Sequence, residues 1–228
     1  MSTTLPSSIK AVLFDLDGTL VDTAADFADV VGQMTEQAAL PAISFTAIHQ
    51  TVSNGARALV ELAFAIQPGH PDFEQRLKTL LDLYSERILT TKATLYPGMD
   101  ALLQQLEKAG VPWGIVTNKP VRFSRPLLES LQLSARCSAL ICPDHVTLSK
   151  PHPEALFLAC TQLQINPRDA IYVGDHPRDI DAGRAAGMFT IPVRYGYLPN
   201  TPPVEQGQAG VSVASVAHIR EHRTKNSC

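Results

Sequence analysis

The chain has no basic excess, no paired-cysteine spacing and no long apolar run, and each absence removes a class of function. Its 19 lysines and arginines are outnumbered by 22 acids, for a formal charge of −3. Binding to a phosphate backbone calls for clustered positive charge, so a nucleic-acid partner is not expected. The four cysteines, Cys137, Cys142, Cys160 and Cys228, have no CxxC spacing, which argues against a zinc knuckle or a disulfide framework. Nowhere do about 18 apolar residues run together, and "MSTTLPSSIK" lacks a basic start leading into an apolar stretch. The expectation is a cytoplasmic protein with reduced thiols and no membrane partner.

What is present is an ordinary globular composition, 45% hydrophobic over 228 residues, enough for one domain or two unequal ones. No repeat or low-complexity tract interrupts it, and "LPNTPPVEQGQAG", from Leu198 to Gly210, reads as a surface loop. Short apolar runs at 10–14, "PWGIVT", "SALIC", "AIYVG" and "MFTIPV" alternate with helical patterns. That alternation predicts an α/β fold, a doubly wound parallel sheet of Rossmann-like type. Between the first run and the rest, only helical periodicity is found. Phe27, Val30, Val31, Met34 and Ala38 form one stripe, and Phe73, Leu77, Leu80, Leu81, Tyr84 and Ile88 form another. The expected organisation is a core of residues 1–20 and 93–228 with a helical insertion at 21–92. Trp113, on an inner strand, is expected in the core.

In an open α/β sheet, ligands sit beyond the carboxyl ends of the strands. Those ends carry Asp15 and Asp17 in "FDLDGT", then Thr117-Asn118-Lys119, then Lys150 in "SKP", then Asp175 and Asp179. Acids gathered in one crevice repel, since two unit charges about 4 Å apart cost roughly 4 kcal/mol at an effective dielectric near 20. A hard dication relieves that repulsion. All-oxygen ligands without clustered His or Cys point to Mg²⁺, which keeps several waters and commonly works beside a substrate phosphate. Mg²⁺ and Lys150 would then face one anion-shaped gap, with Thr117 as a neutral donor, an arrangement suited to phosphoryl transfer. A carboxylate can act there as nucleophile, and a second as acid and base if its neighbours raise its pKa. Plainer readings exist as well. Thr117 could cap the segment 120–131, and Asp179 could be a first-turn acid favoured by the helix dipole.

"DLDGTLVD", "VTNK", "SKPHPE" and "GDHPRDIDAGRAAG", in that order, resemble the haloacid dehalogenase superfamily of Mg²⁺-dependent phosphatases over nearly the whole chain. The resemblance implies Asp15 as nucleophile, Asp17 as general acid/base, and Thr117 and Lys150 as phosphate clamps. It implies a metal held by Asp15, by Asp17 through its backbone carbonyl and by Asp175, with Asp179 supporting. The insertion corresponds to the helical cap that closes over substrate. His176 stands where many relatives place Ser, Thr or Asp, and it brings no negative charge to the metal. "SNGARALV" and "VTNKP" are similar to the phosphoglycolate phosphatase group, so the implied substrate is a small phosphorylated sugar or acid.

Arg57, after the Ser53-Asn54-Gly55 turn, is a candidate for a substrate carboxylate, equally readable as an exposed helix-face residue, and Asn118 is a candidate for the substrate itself. Arg122 and Arg125 are further candidates at the cap–core seam, or else surface residues. His145 and His176 are expected to line the pocket without a metal role. A phosphomutase of the same fold and a binding module with a retired core are the competing functions, and one chain leaves monomer and homodimer both open.

Overall fold

A computed structural model describes residues 9–197 of the chain. Strand β1 (Ala11–Phe14) is followed by the two-residue strand β2 (Val21–Asp22) and helices α1 (Ala24–Gln37), α2 (Phe45–Thr51), α3 (Ala56–Phe64) and α4 (Phe73–Ile88). Strand β3 (Thr94–Leu95) returns the chain to α5 (Met99–Lys108), β4 (Trp113–Val116), α6 (Val121–Ser130) and β5 (Ala139–Ile141). Helix α7 (Glu154–Leu163), β6 (Ala170–Gly174), α8 (Pro177–Ala185) and β7 (Phe189–Pro192) complete it. The loop expected at 198–210 and Cys228 lie outside the described residues, as do the ends of the proposed core segments.

The five longer strands form one parallel sheet in the order β5-β4-β1-β6-β7. All five stand where the apolar runs predict them. They read as unbroken hydrophobic stretches because helices cover both faces of the sheet. Alternate residues divide between the two layers. Val12, Phe14, Ile115, Ile171 and Val173 pack into a core continuous with the inserted helices. Leu13, Val116, Ile141 and Tyr172 pack on the other side against residues of α7 and α8 such as Leu156, Ala159 and Ala182. Trp113 is buried in the first layer, and its indole N–H donates to Glu107 Oε1 at 2.9 Å.

The insertion leaves and re-enters the core through an antiparallel ribbon in which Val21 pairs with Leu95 and Asp22 with Thr94. Its helices bury the two stripes against each other: Phe27 of α1 stacks on Tyr84 of α4 with ring centroids 4.1 Å apart. Ala38, which follows α1, and Leu81 of α4 are exceptions, each half-buried. Inside this layer Asp26 is fully buried, facing Arg87 at 3.3 Å and accepting from the Lys92 N–H at 2.7 Å. Among the described residues, no helix is long and apolar enough to cross a membrane.

Candidate active site

β1 delivers Asp15 to the middle of the carboxyl edge, where its N–H donates to the Val173 carbonyl of β6 at 2.9 Å. Parallel pairing of β1 with both β4 and β6 brings Thr117, Asp175 and Asp179 to the same edge. The nearest ligand oxygens of Asp15, Asp175 and Asp179 all lie within 4.8 Å of one another. Lys150, from the loop after β5, is buried among them. Its ammonium donates to the Val116 carbonyl at 2.8 Å, to the Tyr172 hydroxyl at 2.7 Å and to Asp179 Oδ1 at 2.7 Å. The same nitrogen stands 2.9 Å from Asp15 Oδ1, which also accepts the Leu16 N–H at 2.7 Å.

A single ammonium does not balance three carboxylates. Burial, and then the charge of Asp179, push the Asp15 carboxyl up to about 7, against the opposing pull of Lys150. The same two causes raise Asp175 to about 6. Burial opposes the charge on Lys150, but Asp15 and Asp179 outweigh it and the net shift is upward. Crowded, desolvated carboxylates of this kind fit a hard cation, and the donor set is all oxygen.

Asp175 is positioned by neighbours on three sides. It accepts from Thr19 Oγ1 at 3.1 Å, from Ser53 Oγ of the insertion at 3.3 Å and from the Tyr197 N–H at 3.2 Å. The turn after Asp17 presses against it: Gly18 has φ +85°, and a Cβ there would stand 2.4 Å from Asp175 Oδ2. Only glycine meets both conditions. Asp179 stands in the first turn of α8, where Oδ2 accepts the His176 N–H as a helix cap at 3.0 Å, while Oδ1 binds Lys150.

The Asp17 side chain stands apart from the three-carboxylate cluster. Lys119 Nζ reaches both of its oxygens, at 2.9 and 3.1 Å, and Thr23 Oγ1 donates to Oδ1 at 2.6 Å. Thr117 does not cap α6; its hydroxyl accepts the Lys119 N–H at 3.1 Å. Asn118 is tied to Lys150 rather than left free, its Nδ2 donating to the Lys150 carbonyl at 2.9 Å and its Oδ1 accepting the Lys150 N–H at 3.2 Å.

A cavity of about 500 Å³ opens above these groups, lined on the core side by Asp15, Asp17, Thr117 and Lys150 and on the other by Phe27, Leu77 and Tyr84. Arg57 lines it but pairs with Glu74 at 3.0 Å, both side chains exposed. Arg122 lines it, with its guanidinium over the Phe123 ring. Arg125 is exposed outside it. His176 also lines it, and burial and Arg178 lower its pKa to about 4, so near neutrality it adds no charge. The expectation fails for His145, which is exposed and outside the cavity; Nδ1 accepts the Cys142 N–H at 3.1 Å and closes a turn.

Lys119 belongs to the predicted strand end Thr117-Asn118-Lys119, but no sequence pattern marks a lysine as buried, and its pairing with Asp17 comes from the fold alone.

A doubly wound sheet whose strand ends gather three carboxylates around a buried lysine, beneath an inserted helical layer, defines a hydrolase of the phosphoryl-transfer type. The chain belongs to the haloacid dehalogenase-like hydrolases, whose family model matches residues 12–193. It is 46% identical over 200 residues to N-acetylmuramic acid 6-phosphate phosphatase of Pseudomonas aeruginosa, covering 87% of this chain and 88% of that one. It is 41% identical over 215 residues to a phosphoglycolate phosphatase of Xanthomonas campestris pv. campestris, covering 93% and 95%. The crystal structure of a predicted phosphoglycolate phosphatase from Haemophilus somnus superposes with a TM-score of 0.82 at 26% identity, covering 98% of this chain and 99% of that one.

Proposed function

We propose that this hydrolase dephosphorylates N-acetylmuramic acid 6-phosphate, a cell-wall sugar phosphate, through an aspartyl phosphate on Asp15. The observation that carries the chemistry is Lys150 wedged between Asp15 and Asp179, with Asp175 completing a cluster of hard donors at the cavity floor. Asp15, Asp175 and the Asp17 carbonyl, supported by Asp179, would hold Mg²⁺, which when bound neutralises charge on the phosphoryl oxygens. The Asp15 carboxylate attacks phosphorus, the bond from phosphorus to the sugar oxygen breaks, and Asp17 gives that oxygen its proton. Asp17 then takes a proton from water as the water attacks phosphorus, releasing inorganic phosphate and restoring Asp15. Thr117 and Lys150 hold the phosphoryl oxygens while charge spreads over them.

Two observations support the sugar ester. A relative named for it is 46% identical over most of both chains. The cavity of about 500 Å³, with Phe27, Val52, Leu77 and Leu81 beside Arg57 and Arg122, offers apolar surface and cations to a ligand carrying an acetyl group and a carboxylate. The second reading, 2-phosphoglycolate, is favoured by the relatives named phosphoglycolate phosphatase. It leaves most of that apolar wall unused. A phosphate-release panel of both esters, N-acetylglucosamine 6-phosphate and common hexose phosphates tests the reading. The expected outcome is a kcat/KM for the muramic ester at least about tenfold above the rest, the scale on which pocket contacts discriminate. A preference for 2-phosphoglycolate would overturn it.

A further inference from the structure

Lys119 belongs to the core, on the turn after β4, yet its ammonium lies inside the inserted helical layer. It stands 4.7 Å from the centre of the Tyr84 ring of α4 and 5.3 Å from that of Phe27 of α1. Its side chain is only 7% exposed, and it makes both its ion pair and its two hydrogen bonds to Asp17. The turn is braced from below: the Lys119 N–H donates to Thr117 Oγ1, and the Lys119 carbonyl accepts from Ser124 Oγ at 3.1 Å. Because the two rings stack on each other, the ammonium packs beside the pair and is shielded from water by it. Two rings stacked on each other and carried by two different cap helices therefore supply one wall of the Lys119 site, and Asp17 supplies another.

We infer that Lys119 is a positioning residue that couples the seating of the helical cap to Asp17, so that the acid/base is aligned for the leaving oxygen when Phe27 and Tyr84 are in place over the ammonium. The inference rests on the reading of Asp17 as acid/base. When the cap shifts, the lysine loses its aromatic wall, and the carboxylate it holds by both oxygens shifts with it. Lys119 acts through Asp17 and through the cap rings, and makes no bond to phosphorus.

The experiment is a double-mutant cycle between core and cap, read as kcat and KM on the preferred sugar phosphate with saturating Mg²⁺. Lys119→Met keeps the stem and removes the charge, Lys119→Arg restores the charge, and Phe27→Leu removes one ring from the cap side. Asp17→Asn serves as the control. Lys119→Met is expected to lower kcat by about tenfold or more with KM within about threefold, the signature of an interaction that matters after binding. Lys119→Arg should recover part of that loss. Phe27→Leu should also lower kcat, and adding it to Lys119→Met should cost almost nothing further, because both changes break the same link. Multiplying effects, or unchanged kcat in Lys119→Met beside an inactive Asp17→Asn, would overturn the coupling while leaving the chemistry standing. Full turnover by Asp17→Asn would overturn the acid/base reading itself. Melting curves accompany each variant, and Lys119→Gln replaces Lys119→Met if the latter does not fold.

Discussion

The side-chain amide of Asn118 is committed at both ends to the main chain of Lys150, donating to its carbonyl at 2.9 Å and accepting its N–H at 3.2 Å. Two strand-end loops 32 residues apart are thereby locked together, and the lysine enters the carboxylate cluster at a set height. The clamp makes Asn118 a support for Lys150 more than a ligand for substrate.

Asn118→Ala should therefore lower kcat and leave KM nearly alone. Removing two hydrogen bonds worth about 1 kcal/mol each lets the Lys150 loop relax, and the expected loss is about tenfold in kcat with KM within threefold. Steady-state kinetics on the preferred ester give the split directly.

Lys150→Met should both inactivate and destabilise the protein. Taking the cation from a buried cluster leaves carboxylates uncompensated, a change that typically costs about 3–5 kcal/mol. Mg²⁺ binding only to the folded state would recover part of it. Melting curves with chelator and with Mg²⁺ should show a larger metal-induced rise in Tm for the variant than for the parent.

The stability of the metal-free protein should carry a pH signature of the same cluster. Asp15 at about 7 and Asp175 at about 6 lie above the ordinary value of 3.8, so between about pH 4 and 7 the folded state holds protons that the unfolded chain has released. Stability from these two groups therefore falls as pH rises through that window. His176, lowered to about 4, contributes the opposite slope between about 4 and 6.5. Mg²⁺ must displace the carboxyl protons but not those of His176. The difference between Tm curves with and without Mg²⁺ should accordingly widen from pH 4 to 7 and level off above 7. A difference independent of pH would contradict the cluster.

Gly18→Ala should weaken Mg²⁺ binding without replacing any proposed ligand. The new Cβ would stand 2.4 Å from Asp175 Oδ2 in a backbone of φ +85°, so the carboxylate must move. The expected result is a rise of about tenfold in the Mg²⁺ concentration for half-maximal activity, with more than about 1 kcal/mol of stability lost. A Mg²⁺ titration of turnover and a melt measure the two effects.

The sheet was legible because buried parallel strands need continuous apolar runs, and "AVLF", "WGIV" and "AIYVG" have no other economical home. The neck ribbon was not. Two residues a side, Val21-Asp22 and Thr94-Leu95, are too few to show a period. His145 was misplaced for a related reason: a histidine in a turn carries no mark of which way its ring faces, and here its Nδ1 accepts the N–H of Cys142.

By itself, the sequence determined that acids and one lysine would follow parallel strands, because residue order along the chain sets which groups end up at a strand's carboxyl end. It also determined that a helical layer would interrupt the core after the first strand, through the periodicity of its apolar stripes. Only the tertiary structure decided that the Asp17 side chain faces Lys119 and not the three-carboxylate cluster, and that Asn118 serves Lys150. The physical reason is that side-chain direction depends on which neighbours close the last few ångströms. Here the deciding neighbours are distant in the chain: Lys119 lies 102 residues from Asp17 and Lys150 lies 32 from Asn118, and the aromatic pair Phe27 and Tyr84 beside the Lys119 ammonium belongs to helices that precede it.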